Sequence, residues 1–377
     1  MSADIDTFLR WASEKGIFYE GIDIRPCKGS SGHGVFSKKS YRSGETLIMV
    51  PPHMMITAGK IAEMPQYQEI LRRCRLTPFE TLVLFFLLEP TGTSLWTPYL
   101  NVLPHSFSTP AYVDPDLNAE QLPFSVRTAW LNQQSELKAM LMKLETCLST
   151  SVTWERFLYA WHVVNTRCIY VENKEHPLID CRDGDTVAVI PLIDMLNHSN
   201  QNQAFAFWDS VNSVYKLTAV HCISDDEEVY VCYGGHSNSK LWMEYGFTIP
   251  DNIYNKFPIS YDLLFTVAES IGLKFSYAHK QTVINASLPC TLYASDNEPS
   301  FGLRTNLAIL QMEPKQLWKW NQLCDKENSQ ESELVIKFLQ YLKDLLLKKR
   351  EKINMRYAWL WDEEISVLDA CLLNAES

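Results

Sequence analysis

The decapeptide PLIDMLNHSN, residues 191–200, hangs a carboxylate, a carboxamide and an imidazole (Asp194, Asn197, His198) on an apolar stem. Three uses fit such a set. Asp194 and His198 are oxygen and nitrogen donors for a metal, but a metal needs a third ligand, and no H-x-x-x-H or H-x-H lies nearby. A polar turn closing a strand would use the same groups to satisfy local backbone. On the residues alone, that reading leads. The third use is a site that holds a polar small molecule. The stretch VYVCYGGHSNSKLWMEYGF, residues 229–247, adds weight to it. Tyr230 and Tyr233 alternate with Val231 and Cys232 and so differ in facing. Tyr233 stands directly before Gly234-Gly235, where a hydroxyl is presented beside open backbone. Several tyrosines and Phe247 converging on the polar turn make an aromatic cleft, and such a cleft suits a cation. SSGHGVF, residues 30–36, is Gly-rich but lacks both the G-x-G-x-x-G spacing and a P-loop lysine. As a phosphate binder it is weak, although its backbone can approach a ligand closely.

The elements that must position these groups alternate in type along the chain. A first helix is expected from about Asp4 to Lys15, stopped by Gly16. Residues 28–57 are β-rich, with TLIMV an apolar strand ended by Pro51-Pro52. From about 60 to 168 the pattern is helical. Thr77-Pro78-Phe79-Glu80 is a helix start with a capping-box glutamate, and helical periods recur over 125–148 and 153–167. Strand signals return at 186–196, in a hairpin over 203–220 and at 227–235. A short helix is expected over Asn238–Tyr245, and one long closing helix from about Glu333 to Trp361. The fold class is therefore α+β. Its organisation is 1–58, an N-terminal helix and the first part of a β-rich core; 59–170, a helical insertion; 171–252, the second part of the core; and 253–377, a C-terminal all-helical domain.

Composition bounds the partners. The chain has 377 residues, 46% hydrophobic, and 45 acidic against 34 basic residues, a net charge of −11. That is ample for a large core and unlike the basic surface of a direct nucleic-acid binder. The basic run LKKREK, 347–352, reads as the solvated face of a helix. LVLFFLLE, 82–89, is too short to span a bilayer, and the early acids of MSADIDTFLRWASEKG are unlike a signal peptide. An intracellular chain, cytoplasmic or nuclear, is expected, without membrane contact. Ten cysteines show no C-x-x-C pair, so no metal centre is expected and the thiols read as small buried hydrophobes.

GHGVF, a distant DMLNHS, then VYVCYG and EYGF, in that order, resemble the SET-domain methyltransferases. The helical insertion and helical tail, with LWTPYLNVLP (95–104) and VNTR (164–167), resemble the Rubisco large-subunit methyltransferase class within them. The resemblance implies a β-rich SET core and S-adenosylmethionine as methyl donor, with S-adenosylhomocysteine as product and no metal. It also implies a C-terminal domain that docks a protein substrate; a monomer is expected. Ser31, Gly32 and His33 match the turn whose backbone faces the donor, and Arg167 an arginine that pairs with the donor's carboxylate. Asp194, Asn197 and His198 match the D-x-x-N-H turn, and Phe247 an aromatic beside the adenine. Tyr233 matches the catalytic tyrosine and Tyr245 an aromatic of the target-lysine channel. Phe205 and Phe207 are both candidates for a third channel aromatic, and Tyr230 lies alongside. The activity implied is protein-lysine N-methylation. Histidine methylation is the nearest rival, although the histidine-methylating relatives carry an asparagine where this chain has Cys168. A catalytically inactive SET fold that binds a protein stays open as a third possibility.

Overall fold

A computed structural model describes residues 2–27, 32–172, 175–182, 186–325 and 329–376. The chain forms two compact units, Met1–Val113 with Ser135–Gly235, and Asp114–Gln134 with His236–Ser377. The sequence reading divides the chain at 252–253, whereas the backbone divides after Gly235.

The first unit brings together strands far apart in sequence. Thr46–Val50 pairs antiparallel with Val214–Ala219, which pairs with Ala204–Asp209. The hairpin turn is set by Asp209, whose carboxylate accepts the N–H groups of Val211 (3.1 Å) and Asn212 (3.2 Å), the side-chain mimicry of a turn for which aspartate is favoured. Ile22–Pro26 pairs with His33–Ser37, and Val187–Val189 lies between Ile56–Thr57 and Cys168–Tyr170. The strand expected over 227–235 is reduced to Tyr230–Val231, paired in parallel with Asn197–His198. That two-residue ladder joins the two chemistry-bearing stretches.

The helical segment follows its local signals. Thr77 accepts the Glu80 N–H (3.2 Å) while Glu80 accepts the Thr77 N–H (2.8 Å), and the helix Pro78–Leu88 starts there. Its residues 81–87 are all buried, as expected of a helix apolar all round, and it packs against Trp154–Arg167. Cys74 and Cys147 are joined in a disulfide, Cα–Cα 5.6 Å. This corrects the expectation of thiols alone: the end of Pro65–Arg73 meets the end of Phe124–Leu148, a proximity that no spacing between cysteines reveals.

In the second unit the helix Asn238–Tyr245 ends on Gly246 at φ 82°, a left-handed cap that glycine adopts without steric cost. The closing helix is two, Ser329–Arg350 and Met355–Glu376, packed on each other. The break has a local cause: the Asn354 side chain accepts the Arg356 N–H (2.9 Å), restarting the helix. The largely helical C-terminal region also contains a three-stranded antiparallel sheet, Lys256–Ile259, Cys290–Tyr293 and Glu298–Pro299. Phe257, Leu264, Leu292, Phe338 and Trp361 belong to its core. Among the described residues no helix is long and apolar enough to cross a membrane.

Candidate active site

The stem of the decapeptide is core: Ile190, Leu192, Ile193, Met195 and Leu196 are all buried. Leu192 turns the chain at φ 76°, a conformation costing a non-glycine residue about 1–3 kcal/mol that persists only where its surroundings enforce it. A single 3₁₀ turn, Ile193–Met195, follows, and the chain emerges as the short strand Asn197–His198.

Asp194 does not reach the surface. Its carboxylate is fully enclosed and accepts from Arg167 Nη1 (2.9 Å) and from the Tyr99 hydroxyl (2.7 Å). Arg167 Nη1 also donates to the Asp194 carbonyl (3.1 Å). Burial pushes the Asp194 carboxyl up, and Arg167 and Tyr99 pull it back. Burial pulls Arg167 down, but Asp194 and Tyr99 outweigh it and the guanidinium is held above its ordinary value. The Asp194 side chain holds Arg167 from behind through Oδ2, while Oδ1 is buried and has no hydrogen-bond partner among the described residues. Arg167 Nε is buried and has no hydrogen-bond partner among the described residues. An unmet buried donor of this kind costs about 1–3 kcal/mol, and a ligand carboxylate would meet it.

Asn197 is held through its amide nitrogen. Nδ2 donates to Glu228 Oε1 (2.8 Å), to the His33 carbonyl (3.2 Å) and to Cys27 Sγ (3.3 Å). Glu228 Oε2 accepts from the Tyr230 hydroxyl (2.7 Å), and burial followed by Glu228 pushes that phenol up. Tyr230 thus belongs to the group that holds Asn197. Gly34 is required beneath it, because a Cβ there would overlap the Glu228 carboxylate and Cys27.

His198 Nδ1 accepts the Tyr233 backbone N–H (3.0 Å), and the two rings stack 5.1 Å apart at 27°. Burial lowers the His198 pKa. A ring that accepts at Nδ1 is neutral and carries its proton on Nε2. The Tyr233 hydroxyl donates to the Leu196 carbonyl (2.6 Å). Since a phenol has one proton, Tyr233 meets any further group as an acceptor. Gly234 follows at φ 132°, beyond the reach of most L-residues.

The first unit therefore collects Arg167, Asp194, Asn197, His198, Tyr230, Tyr233 and the His33 backbone. The Gly32 carbonyl accepts the Cys27 N–H (3.0 Å), and Ser31 lies outside the described residues. Phe205 and Phe207 stack on each other (6.0 Å) and are 58% and 36% exposed, so within this unit they form an open aromatic face. Tyr245 and Phe247 belong to the second unit, ring centroids 6.1 Å apart, with His236 stacked on Tyr245 at 6.4 Å. Sequence reasoning missed Tyr99, Cys27 and Glu228. Glu228 had a signal, an acid at the head of the apolar run VYV. Tyr99 lies in LWTPYLNVLP, a stretch that carries the resemblance, but nothing in its spacing ties it to Asp194. Among the described residues no group of three or more His, Cys, Asp or Glu side chains is placed to hold a metal ion.

Comparison with known proteins places this geometry. SET domain-containing protein 4 of Mus musculus is 26% identical over 331 residues, covering 83% of this chain and 74% of that protein. An actin-histidine N-methyltransferase of Dasypus novemcinctus is 26% identical over 268 residues, covering 67% of this chain but 44% of that protein. The crystal structure of the SET domain of LSMT bound to lysine and AdoHcy is similar in fold, with a TM-score of 0.70 at 19% identity, covering 100% of this chain and 91% of that one. The SET-domain family model matches residues 32–234, more than half of the chain, and so the chain belongs to the SET-domain family.

Proposed function

We propose that this chain is an S-adenosylmethionine-dependent protein-lysine N-methyltransferase. The observation that carries the reading is the Tyr233 hydroxyl, fixed on the Leu196 carbonyl at 2.6 Å beside the Asn197–His198 ladder and the buried Arg167. The donor fits the residues present. Arg167 Nε offers a buried unmet N–H to its carboxylate, and Asn197 and His198 are held rigidly for the remaining contacts. When bound, the donor supplies an electrophilic methyl group on a sulfonium.

The chain's own part is alignment. A lysine amine has a pKa near 10.4, so presenting it neutral at pH 7 costs roughly 4–5 kcal/mol, which a desolvated channel reduces. Tyr233, an acceptor toward any further group, takes an N–H of the neutral amine and turns its lone pair toward the methyl. Asp194 and Tyr99 keep Arg167 in place. No nucleophilic side chain or metal is required, and the gain is orientation and fixed dipoles.

The second unit docks the protein substrate in this reading. The basic run contributes fewer free charges than its sequence promises. Lys349 sits 4.4 Å over the Phe124 ring and Arg350 pairs with Asp362 (2.8 Å), leaving Lys348 and Lys352 exposed.

Histidine is the second reading, favoured by the likeness to the actin-histidine N-methyltransferase. Cys168, where the resemblance expects asparagine in a histidine-methylating chain, supports lysine. The test is methyl transfer from labelled S-adenosylmethionine into a cell extract, with the modified residue identified by mass spectrometry. Methyl-lysine is the expected product. Methyl-histidine replaces the lysine reading, and no transfer with no donor binding by calorimetry removes the enzyme reading altogether.

A further inference from the structure

The helix Pro78–Leu88 ends on Glu89, whose N–H closes the last turn onto the Phe85 carbonyl (2.8 Å). The Glu89 side chain lines a recess of about 530 Å³ whose walls include Tyr67, Trp96, Met64 and Leu95. That volume lies within the usual range for ligand sites. Tyr67 and Trp96 are buried wall residues, 1% and 4% exposed, whereas Leu95, also a wall residue, is 57% exposed. Glu89 Oε2 accepts from the Tyr67 hydroxyl (2.6 Å), and Oε1 accepts from the Ser94 hydroxyl. Each carboxylate oxygen retains capacity for a second donor.

Both neighbours are neutral, and among the described residues no Lys, Arg or His pairs with Glu89. Arg156, which reaches the end of the same helix, donates to the Leu87 carbonyl (3.2 Å). Burial and then Glu89 push the Tyr67 phenol well up, so its proton stays in place. An anion at a helix C-terminus also faces the negative end of the macrodipole. Glu89 is thus a carboxylate with no ion-pair partner among the described residues, held in fixed geometry in a recess with aromatic and aliphatic walls, at a position where a cation is favoured.

We propose that this recess binds an alkylammonium group, a cation on an aliphatic stem of the size of a lysine side chain, separately from the Tyr233 site. The ammonium meets Glu89, and the stem lies among Met64, Leu95 and the two rings. The probes are n-butylammonium, the neutral alcohol n-pentanol, which is one methylene longer, and an end-capped Ala-Lys-Ala peptide, titrated into the full chain by NMR. Butylammonium or the peptide should bind, with pentanol binding at least about tenfold more weakly, as expected when a charge-assisted contact is lost. Glu89→Gln should weaken cation binding by about the same factor. Because that variant could disturb the helix end, Leu95→Lys, at an exposed position, places a tethered ammonium at the mouth and should abolish binding with the fold intact. Tighter binding of the peptide than of butylammonium assigns the site to a protein-borne lysine; equal or weaker binding assigns it to a free amine. Binding of neither cation, or equal binding of pentanol, or unchanged cation affinity in both variants, overturns the proposal.

Discussion

Tyr233 carries the sharpest prediction. Tyr233→Phe removes one hydroxyl from a half-buried ring and the bond to Leu196, so stability should fall by about 1 kcal/mol. Transfer should fall by about 10²-fold or more, because an acceptor needed to align the amine acts in the transition state. Melting temperature, donor affinity and turnover on one preparation decide this, and near-normal turnover would move the catalytic role to another tyrosine. Glu228 touches no reacting group but holds Asn197 and Tyr230. Glu228→Gln keeps the shape and removes one of the two acceptors. Donor affinity by calorimetry should then drop about tenfold, roughly the scale of one charge-assisted bond, with little change in turnover at saturating donor. A parallel loss of melting temperature and no loss of affinity would make Glu228 merely structural.

Among the elements, the helix Pro78–Leu88 shows how much a local signal settles. Its reciprocal Thr77–Glu80 cap was legible because both partners lie within one turn. Thr77→Ala should cost about 1 kcal/mol in denaturant unfolding, and an unchanged midpoint would show that packing alone fixes this start. The closing helix illustrates the opposite case. An apolar period runs through both Ser329–Arg350 and Met355–Glu376, and the periodicity hid the break at Asn354. The strand over 227–235 was likewise overdrawn. Alternation marks residues able to pair, but only Tyr230 and Val231 find partners on Asn197–His198.

For the molecule as a whole, two buried groups give the two units opposite pH dependence. In the first unit His162 is fully enclosed, its Nδ1 donating to the Leu158 carbonyl (2.7 Å) and its Nε2 accepting from Thr109 (2.5 Å). Burial lowers its pKa from 6.5 to about 4. Between these values the unfolded ring takes a proton that the folded ring refuses. Stability therefore falls as pH drops from about 6.5 to about 4, by roughly 3 kcal/mol in all. In the second unit burial raises Glu364 from 4.5 to about 8, with the Ser125 hydroxyl on one oxygen. There the folded state holds a proton that the unfolded state gives up, so stability falls as pH rises from about 4.5 to about 8. Between about pH 4.5 and 6.5 the two effects oppose each other, so melting curves across pH 4–9 should decline clearly only above about 6.5 and below about 4.5. Glu364→Gln should flatten the alkaline decline and leave the acidic one, and an alkaline decline unchanged in that variant would refute the assignment.

The sequence by itself determined which short stretches carry chemistry, where most helices begin, and the SET family to which those stretches point. All of these are written in residues within about one turn or one strand of each other, where spacing and cap chemistry act directly. Only the tertiary structure decided what each polar group does. Asp194 and Asn197 sit three residues apart in one turn, yet Asp194 is enclosed behind Arg167 while Asn197 is held by Glu228 and the His33 carbonyl. Tyr99 and Cys27 enter the site from segments far away along the chain. Whether a buried polar group anchors, orients or contacts depends on which partners reach it across the core, and chain spacing carries no record of partners brought together by packing.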